Sequence, residues 1–167
     1  MDPAPVLAAA DAIVRSLRNR GKLIAFGNGG SAADAQHVAA ELVGRYERQR
    51  AGLPAVALTT DASVVTSIGN DEGFDRIFAR QIEALARPED VVLAITTSGR
   101  SRNVVAALEE AKRRQLQTIA LTGRDGGEAG RLAAIHVNVP SESTARVQEV
   151  HRTLLHVLCE IVENACA

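Results

Sequence analysis

The sequence predicts a doubly wound α/β fold, a sheet of five parallel strands flanked by helices. Three observations carry this expectation. Short apolar runs alternate with longer helical patterns along the chain. Most of the runs are continuously apolar rather than alternating, as in strands covered on both faces. Polar segments rich in glycine and hydroxyls follow the runs, and open α/β sheets bind ligands beyond the carboxyl ends of their strands.

The candidate strands are Lys22–Phe26, Ala55–Leu58, Val91–Ile95, Thr118–Leu121 and Ile135–Val139. The candidate helices are Pro5–Asn19, Ser31–Tyr46, Ser63–Ile68, Phe74–Ala86, Ser101–Gln115, Gly127–Ala133 and Thr144–Asn164. Pro54, Pro88 and Pro140 punctuate the connections. With no internal repeat and no low-complexity segment, residues 1–167 read as one domain with an N-terminal helix. Hydrophobic residues make up 46% of the chain and aromatics 2%, so the core must be built from Ala, Val, Leu and Ile.

Composition also excludes function classes. A net charge of −1 argues against a general binder of nucleic acid or anionic membranes. There is no apolar run near ~18 residues and no signal-peptide pattern, so the expectation is a soluble, cytoplasmic protein. Cys159 and Cys166 share one helical pattern, about 10 Å apart along it. That is too far for a disulfide, and two reduced thiols are expected.

The segment Gly27-Asn28-Gly29-Gly30-Ser31 follows the first strand and opens an Ala-rich helix. Such a turn aims backbone N–H groups and the positive helix end at one point, which suits an anion. The same helix carries His37 and Glu41 four residues apart, on one face. They read either as metal ligands and general base or as a solvated surface pair. Thr96-Thr97-Ser98-Gly99-Arg100-Ser101 follows the third strand and reads as a phosphate cradle of hydroxyls and helix N–H groups. Alternatively, Ser101 only caps its helix. No Walker-type lysine is present, and the first glycine turn does not spell the dinucleotide fingerprint.

The last helix offers Gln148, Glu149, His151 and His156. Its apolar stripe runs through Val147, Leu154, Leu158 and Ile161. His151 falls in that stripe as a core histidine, whereas His156 lies off it, on the side of Arg152. His136 reads as structural, and the Arg48-Gln49-Arg50 cluster as a solvated loop.

Taken in order, these motifs resemble the phosphoheptose isomerase family of the sugar isomerase (SIS) domain superfamily. The resemblance rests on Gly27 to Glu41, Ala57-Leu58-Thr59-Thr60-Asp61, Gly69-Asn70-Asp71 and Thr96 to Ser101. Thr122-Gly123-Arg124-Asp125-Gly126-Gly127 and Thr144 to Glu149, with His151 and His156, complete it. It implies conversion of sedoheptulose 7-phosphate to D-glycero-D-manno-heptose 7-phosphate, a homotetramer with sites between subunits, and one zinc ion per subunit. The implied metal ligands are His37, Glu41, Gln148 and His156. Glu41 and His156 are the implied acid–base pair, their roles exchangeable on the sequence alone. Asn28, Gly29, Ser31, Glu41, Asn70, Asp71, Thr96, Thr97, Ser98, Ser101 and Gln148 are the implied substrate contacts.

The chain departs from the family pattern in places. Its N-terminal helical segment is shorter than usual, Thr96 stands where Ser is usual, and Ala145 replaces an acidic residue of some relatives. Glu72 stands where an aromatic is common. Alternatives of the same fold are a replication-initiator-associating binding factor, an isomerase of another phosphosugar and a sugar-phosphate-sensing regulatory domain. Retention of His156 beside Glu41 separates this chain from the binding factor.

Overall fold

The computed structural model describes residues 2–166; Met1 and Ala167, the ends of the predicted domain, lie outside the described residues. Five strands, β1 (Leu23–Gly27), β2 (Ala55–Ala57), β3 (Val91–Thr96), β4 (Gln117–Gly123) and β5 (Ile135–Val139), form one sheet. All pairings are parallel and the order is β2-β1-β3-β4-β5. Seven helices connect and flank them: α1 (Ala4–Arg18), α2 (Gly30–Val43), α3 (Ala62–Asp71), α4 (Ala79–Leu85), α5 (Arg102–Arg113), α6 (Gly127–Leu132) and α7 (Thr144–Cys166).

Strand side chains alternate between the two helical layers, as a period of two requires. Leu23, Ala25, Leu93, Ile95 and Leu121 pack against α1, α2 and α7. Ile24, Phe26, Val92 and Ala94 pack against α4, α5 and α6 on the other side. Both faces are covered, so every residue of β1 and β3 is buried. Small Ala residues at 9, 10 and 107, each 0% exposed, let the helices approach closely where the chain has few aromatics to fill space. Among the described residues no helix is long and apolar enough to cross a membrane.

Several boundaries differ from the sequence expectation for identifiable reasons. The helix expected over Phe74–Ala86 is broken into a 3-10 turn at Phe74–Arg76 and α4. The tighter turn lets the adjacent residues Ile77 and Phe78 both enter the core, leaving Phe74 exposed. Asp61 caps α3, accepting from Val64 N–H at 3.0 Å, and the helix runs through Asp71 rather than ending at Ile68. On α7 the buried line is Val147, His151, Leu155, Leu158 and Val162, while Leu154 and Ile161 are only partly buried.

Arg50 is a correction. It is not in a solvated loop: its guanidinium pairs with Glu163 at 2.9 Å, both side chains 3% exposed. Arg50 also donates to the Leu42 and Glu41 carbonyls at the end of α2. A charge pair at that depth persists because the partner is in place and the remaining donors are satisfied.

Candidate active site

The sheet order reverses at β1, whose neighbours β2 and β3 are reached on opposite sides. A ligand crevice opens at such a switch point, beyond the strand ends. Gly27 and Ile95 sit side by side in the β1–β3 ladder, which places the two following loops together. Gly29 takes φ 57°, a left-handed conformation that favours glycine, and turns the chain into α2. Gly99, at φ 66°, lies so close to the Gly126–Gly127 backbone that no Cβ fits, and its carbonyl accepts from Ala129 N–H at 2.9 Å.

These turns enclose a cavity of about 280 Å³ lined by Asn28, Gly29, Ser31, Thr96, Thr97 and Ser101, with Gln148 at its edge. None of its lining residues is basic. Ser101 precedes α5 without a side-chain cap bond, and its hydroxyl instead lies 3.4 Å from that of Thr96. The hydroxyls therefore face the cavity rather than serving the helix end. With the N-terminal amides of α2 and α5, they make up a neutral donor set, a cradle of the kind that suits an anion. Ser98 does not line this cavity; its hydroxyl accepts from Arg100 N–H at 3.2 Å.

A wider groove of about 560 Å³ adjoins the cradle, the two sharing Gly30 and Gln148. Gln148, Arg152 and His156, spaced by four on α7, lie along it. A Cβ on Gly30 would collide with the Gln148 amide, so the glycine leaves Gln148 its place. Arg152 donates through Nε (3.0 Å) and Nη2 (2.6 Å) to Asp34, which is 1% exposed on α2.

At the end of the groove His37 and Glu41 of α2 meet His156 of α7. The His37 and His156 Nε2 atoms face each other at 2.8 Å. Glu41 Oε1 is 3.5 Å from His37 Nε2. The three candidate ligand atoms lie within 4.8 Å of one another. Two imidazole nitrogens and a carboxylate oxygen are a donor set that fits a zinc-type divalent ion. All three groups are half-buried, which fits a site open to substrate.

The other histidines are structural. His151 is fully buried; its Nε2 lies 3.0 Å from the Thr122 carbonyl and its Nδ1 has no partner among the described residues. Burial lowers its pKa, against a raising contribution from the Thr122 carbonyl and Asp34. His136 Nε2 sits 2.6 Å from the Thr122 hydroxyl, and burial lowers its pKa too.

The SIS domain family model matches residues 2–123. The phosphoheptose isomerase of Laribacter hongkongensis (strain HLHK9) is 52% identical over 164 residues, covering 96% of this chain and 84% of that protein. The chain belongs to the phosphoheptose isomerase family. The phosphoheptose isomerase structure from Neisseria gonorrhoeae superposes with a TM-score of 0.91 at 48% identity, over 96% of this chain and 86% of the other. That from Francisella tularensis superposes at 0.93 with 42% identity, over 97% and 86%.

Within this phosphoheptose isomerase fold, the structure brings most of the expected residues together but not all. Asn70 and Asp71 are exposed at the end of α3, bonded to each other at 2.8 Å, and line neither cavity. Three residues at the site carried no sequence signal: Asn103, which pairs with Asn28, and the Asp34–Arg152 pair. Each depends on a contact between segments far apart in the chain, which periodicity does not report.

Proposed function

We propose that this chain is an aldose–ketose isomerase that converts sedoheptulose 7-phosphate to D-glycero-D-manno-heptose 7-phosphate in heptose biosynthesis. The observation that carries the reading is the meeting of His156 with Glu41 and His37 at the end of a groove leading from a neutral anion cradle. Thr96, Thr97 and Ser101, with Asn28, Gly29 and Ser31, hold the phosphate end, and Ser98 would join them by turning its hydroxyl from Arg100 N–H into the cradle. Gln148, beside both cavities, contacts the sugar chain, and Asn70 and Asp71 would reach the substrate only if the end of α3 moved towards the cradle.

Glu41 takes the proton from C1 of the ketose, and His156 delivers a proton to O2, giving a cis-enediol. His156 then takes the proton from O1 while Glu41 returns its proton to C2, leaving the aldose. Each positioned proton transfer of this kind is worth roughly 10²–10⁴-fold. His37, Glu41, Gln148 and His156 would hold one zinc ion per subunit, and Glu41 and His156 would each carry a proton only while released from the ion. Zinc, when bound, supplies positive charge that stabilises the negative oxygen developing in the transition state.

The enzyme is one SIS domain over residues 1–167, works in the cytoplasm and assembles as a homotetramer with sites shared between subunits. It has no nucleic-acid or membrane partner. The open groove supports the assembly, because a partner surface would close it over the substrate. A monomeric mass by light scattering from fully active protein would refute the tetramer. A purely protein-binding role draws no support from the site, since both acid–base groups are present and adjacent.

The function is tested by NMR of the protein with sedoheptulose 7-phosphate, with added zinc and separately with chelator. Aldose signals with zinc, lost on chelation, are expected. No aldose from folded, zinc-supplied protein would overturn the assignment, and undiminished aldose under chelation would overturn the zinc.

A further inference from the structure

Tyr46 lies outside both cavities yet touches the acid–base cluster. Its ring centroid is 5.6 Å from that of His156, at an interplanar angle of 37°. The His156 ring is in turn 5.1 Å from that of His37. Tyr46 is partly buried against the core beneath α1, α2 and α7, in a turn three residues past the end of α2.

What seats that turn is Glu163, far along α7. The residue is 2% exposed, and its carboxylate accepts from the N–H groups of Tyr46 (3.1 Å), Glu47 (2.9 Å) and Arg48 (2.8 Å) and from the Nε of Arg50 (2.9 Å). Arg50 spends its other nitrogens on the α2 end, including the Glu41 carbonyl at 2.8 Å. An exposed turn does not need a buried carboxylate to close, and burying one is costly unless each lone pair is used. Here the clamp ties together the helix that carries His37 and Glu41, the turn that carries Tyr46, and the helix that carries His156. A half-buried imidazole that must move protons needs its ring held to within about 10–20°. The ring of Tyr46, tilted against His156, is placed to supply that restraint.

We propose that Tyr46 is a positioning residue for His156, seated by the Glu163–Arg50 clamp. The proposal rests on the assignment of His156 to proton transfer and metal binding. The phosphate cradle lies at the other end of the groove, so the effect falls on turnover and on the metal site rather than on substrate capture.

The test compares Tyr46→Leu, Tyr46→Phe and His156→Gln with the unaltered protein, for kcat and KM on sedoheptulose 7-phosphate and for zinc affinity by competition with a chromogenic chelator. Tyr46→Leu should lower kcat and weaken zinc binding by about tenfold each, with KM within about twofold, as for other supports of metal ligands. Tyr46→Phe, which keeps the ring, should restore both. Full kcat in Tyr46→Leu, an equal loss in Tyr46→Phe, or a loss confined to KM would overturn the proposal. Glu163→Gln, which keeps the side-chain volume, carries the same expectation should Tyr46→Leu fail to fold, and an unchanged kcat there overturns it equally. Full turnover in His156→Gln would instead remove the assignment beneath the proposal, which keeps the two failures apart.

Discussion

Asn28 and Asn103 exchange two amide hydrogen bonds of 2.8 Å each, joining the first glycine loop to the first turn of α5. Asn103 is 2% exposed, while Asn28 lines the cradle. The reciprocal pair permits one relative orientation of the two amides, since rotating either would set oxygen against oxygen. Asn103→Ala should destabilise the fold by about 1–3 kcal/mol, because a polar partner is left unpaired. It should also lower kcat/KM by on the order of tenfold to a hundredfold by releasing Asn28. Combined with Asn28→Ala, the loss should be less than additive. Urea denaturation and steady-state kinetics of the cycle check this, and strict additivity would refute the latch.

Gly30→Ala should separate stability from activity. The three atoms nearest to a Cβ there all belong to the flexible end of Gln148. Alanine at the start of α2 should leave stability unchanged or raise it by up to ~1 kcal/mol. Gln148 must move, so kcat/KM should fall. A variant with wild-type kinetics would show that Gln148 does not need this position.

Glu41→Gln should leave the fold intact and remove turnover. The carboxylate is 21% exposed and its contact to His37 is long at 3.5 Å, so the pair contributes under ~1 kcal/mol to stability. As the carbon base, its loss should cost roughly 10²–10⁴ in kcat. Near-normal kcat in a folded variant would exclude Glu41 from proton transfer.

Acid should weaken the fold through His136 and His151. Burial lowers both pKa values from 6.5, so the folded state holds the neutral rings. Their contribution is full above pH 6.5 and is lost as the pH falls through the lower folded-state values. Denaturant stability should therefore drop as the pH is lowered below 6.5, and His151→Gln should flatten part of that drop. A profile level over this range, and unmoved by the substitution, would contradict the assignment.

Glu163 sets a second, more acidic boundary. Burial would raise its carboxyl, but the N–H groups of Arg48, Glu47 and Tyr46 and the Arg50 side chain outweigh it and hold the pKa at about 2. The stabilisation is present above the ordinary value of 4.5 and is lost as the pH falls towards about 2. Glu163→Gln should remove the stability change across that interval, measured by urea denaturation at fixed ionic strength.

The sequence by itself determined the layered fold and both loops of the cradle. Continuous apolar runs such as Val91 to Ile95 mark strands buried on both faces, and glycines such as Gly29 mark turns that need positive φ. These are local properties, fixed by the residue and its near neighbours. Only the tertiary structure decided which polar side chains meet. His37 and Glu41 could have been a solvated pair until α7 set His156 2.8 Å from His37 across 119 residues of chain. Arg50 read as solvated because its partner Glu163 stands 113 residues away, and Asn103 on α5 carried no signal because its partner Asn28 lies 75 residues away in the first glycine loop. Hydrophobic periodicity records which face of an element is buried. It does not record which charge or amide waits on the element packed against that face, and that pairing is what makes the site.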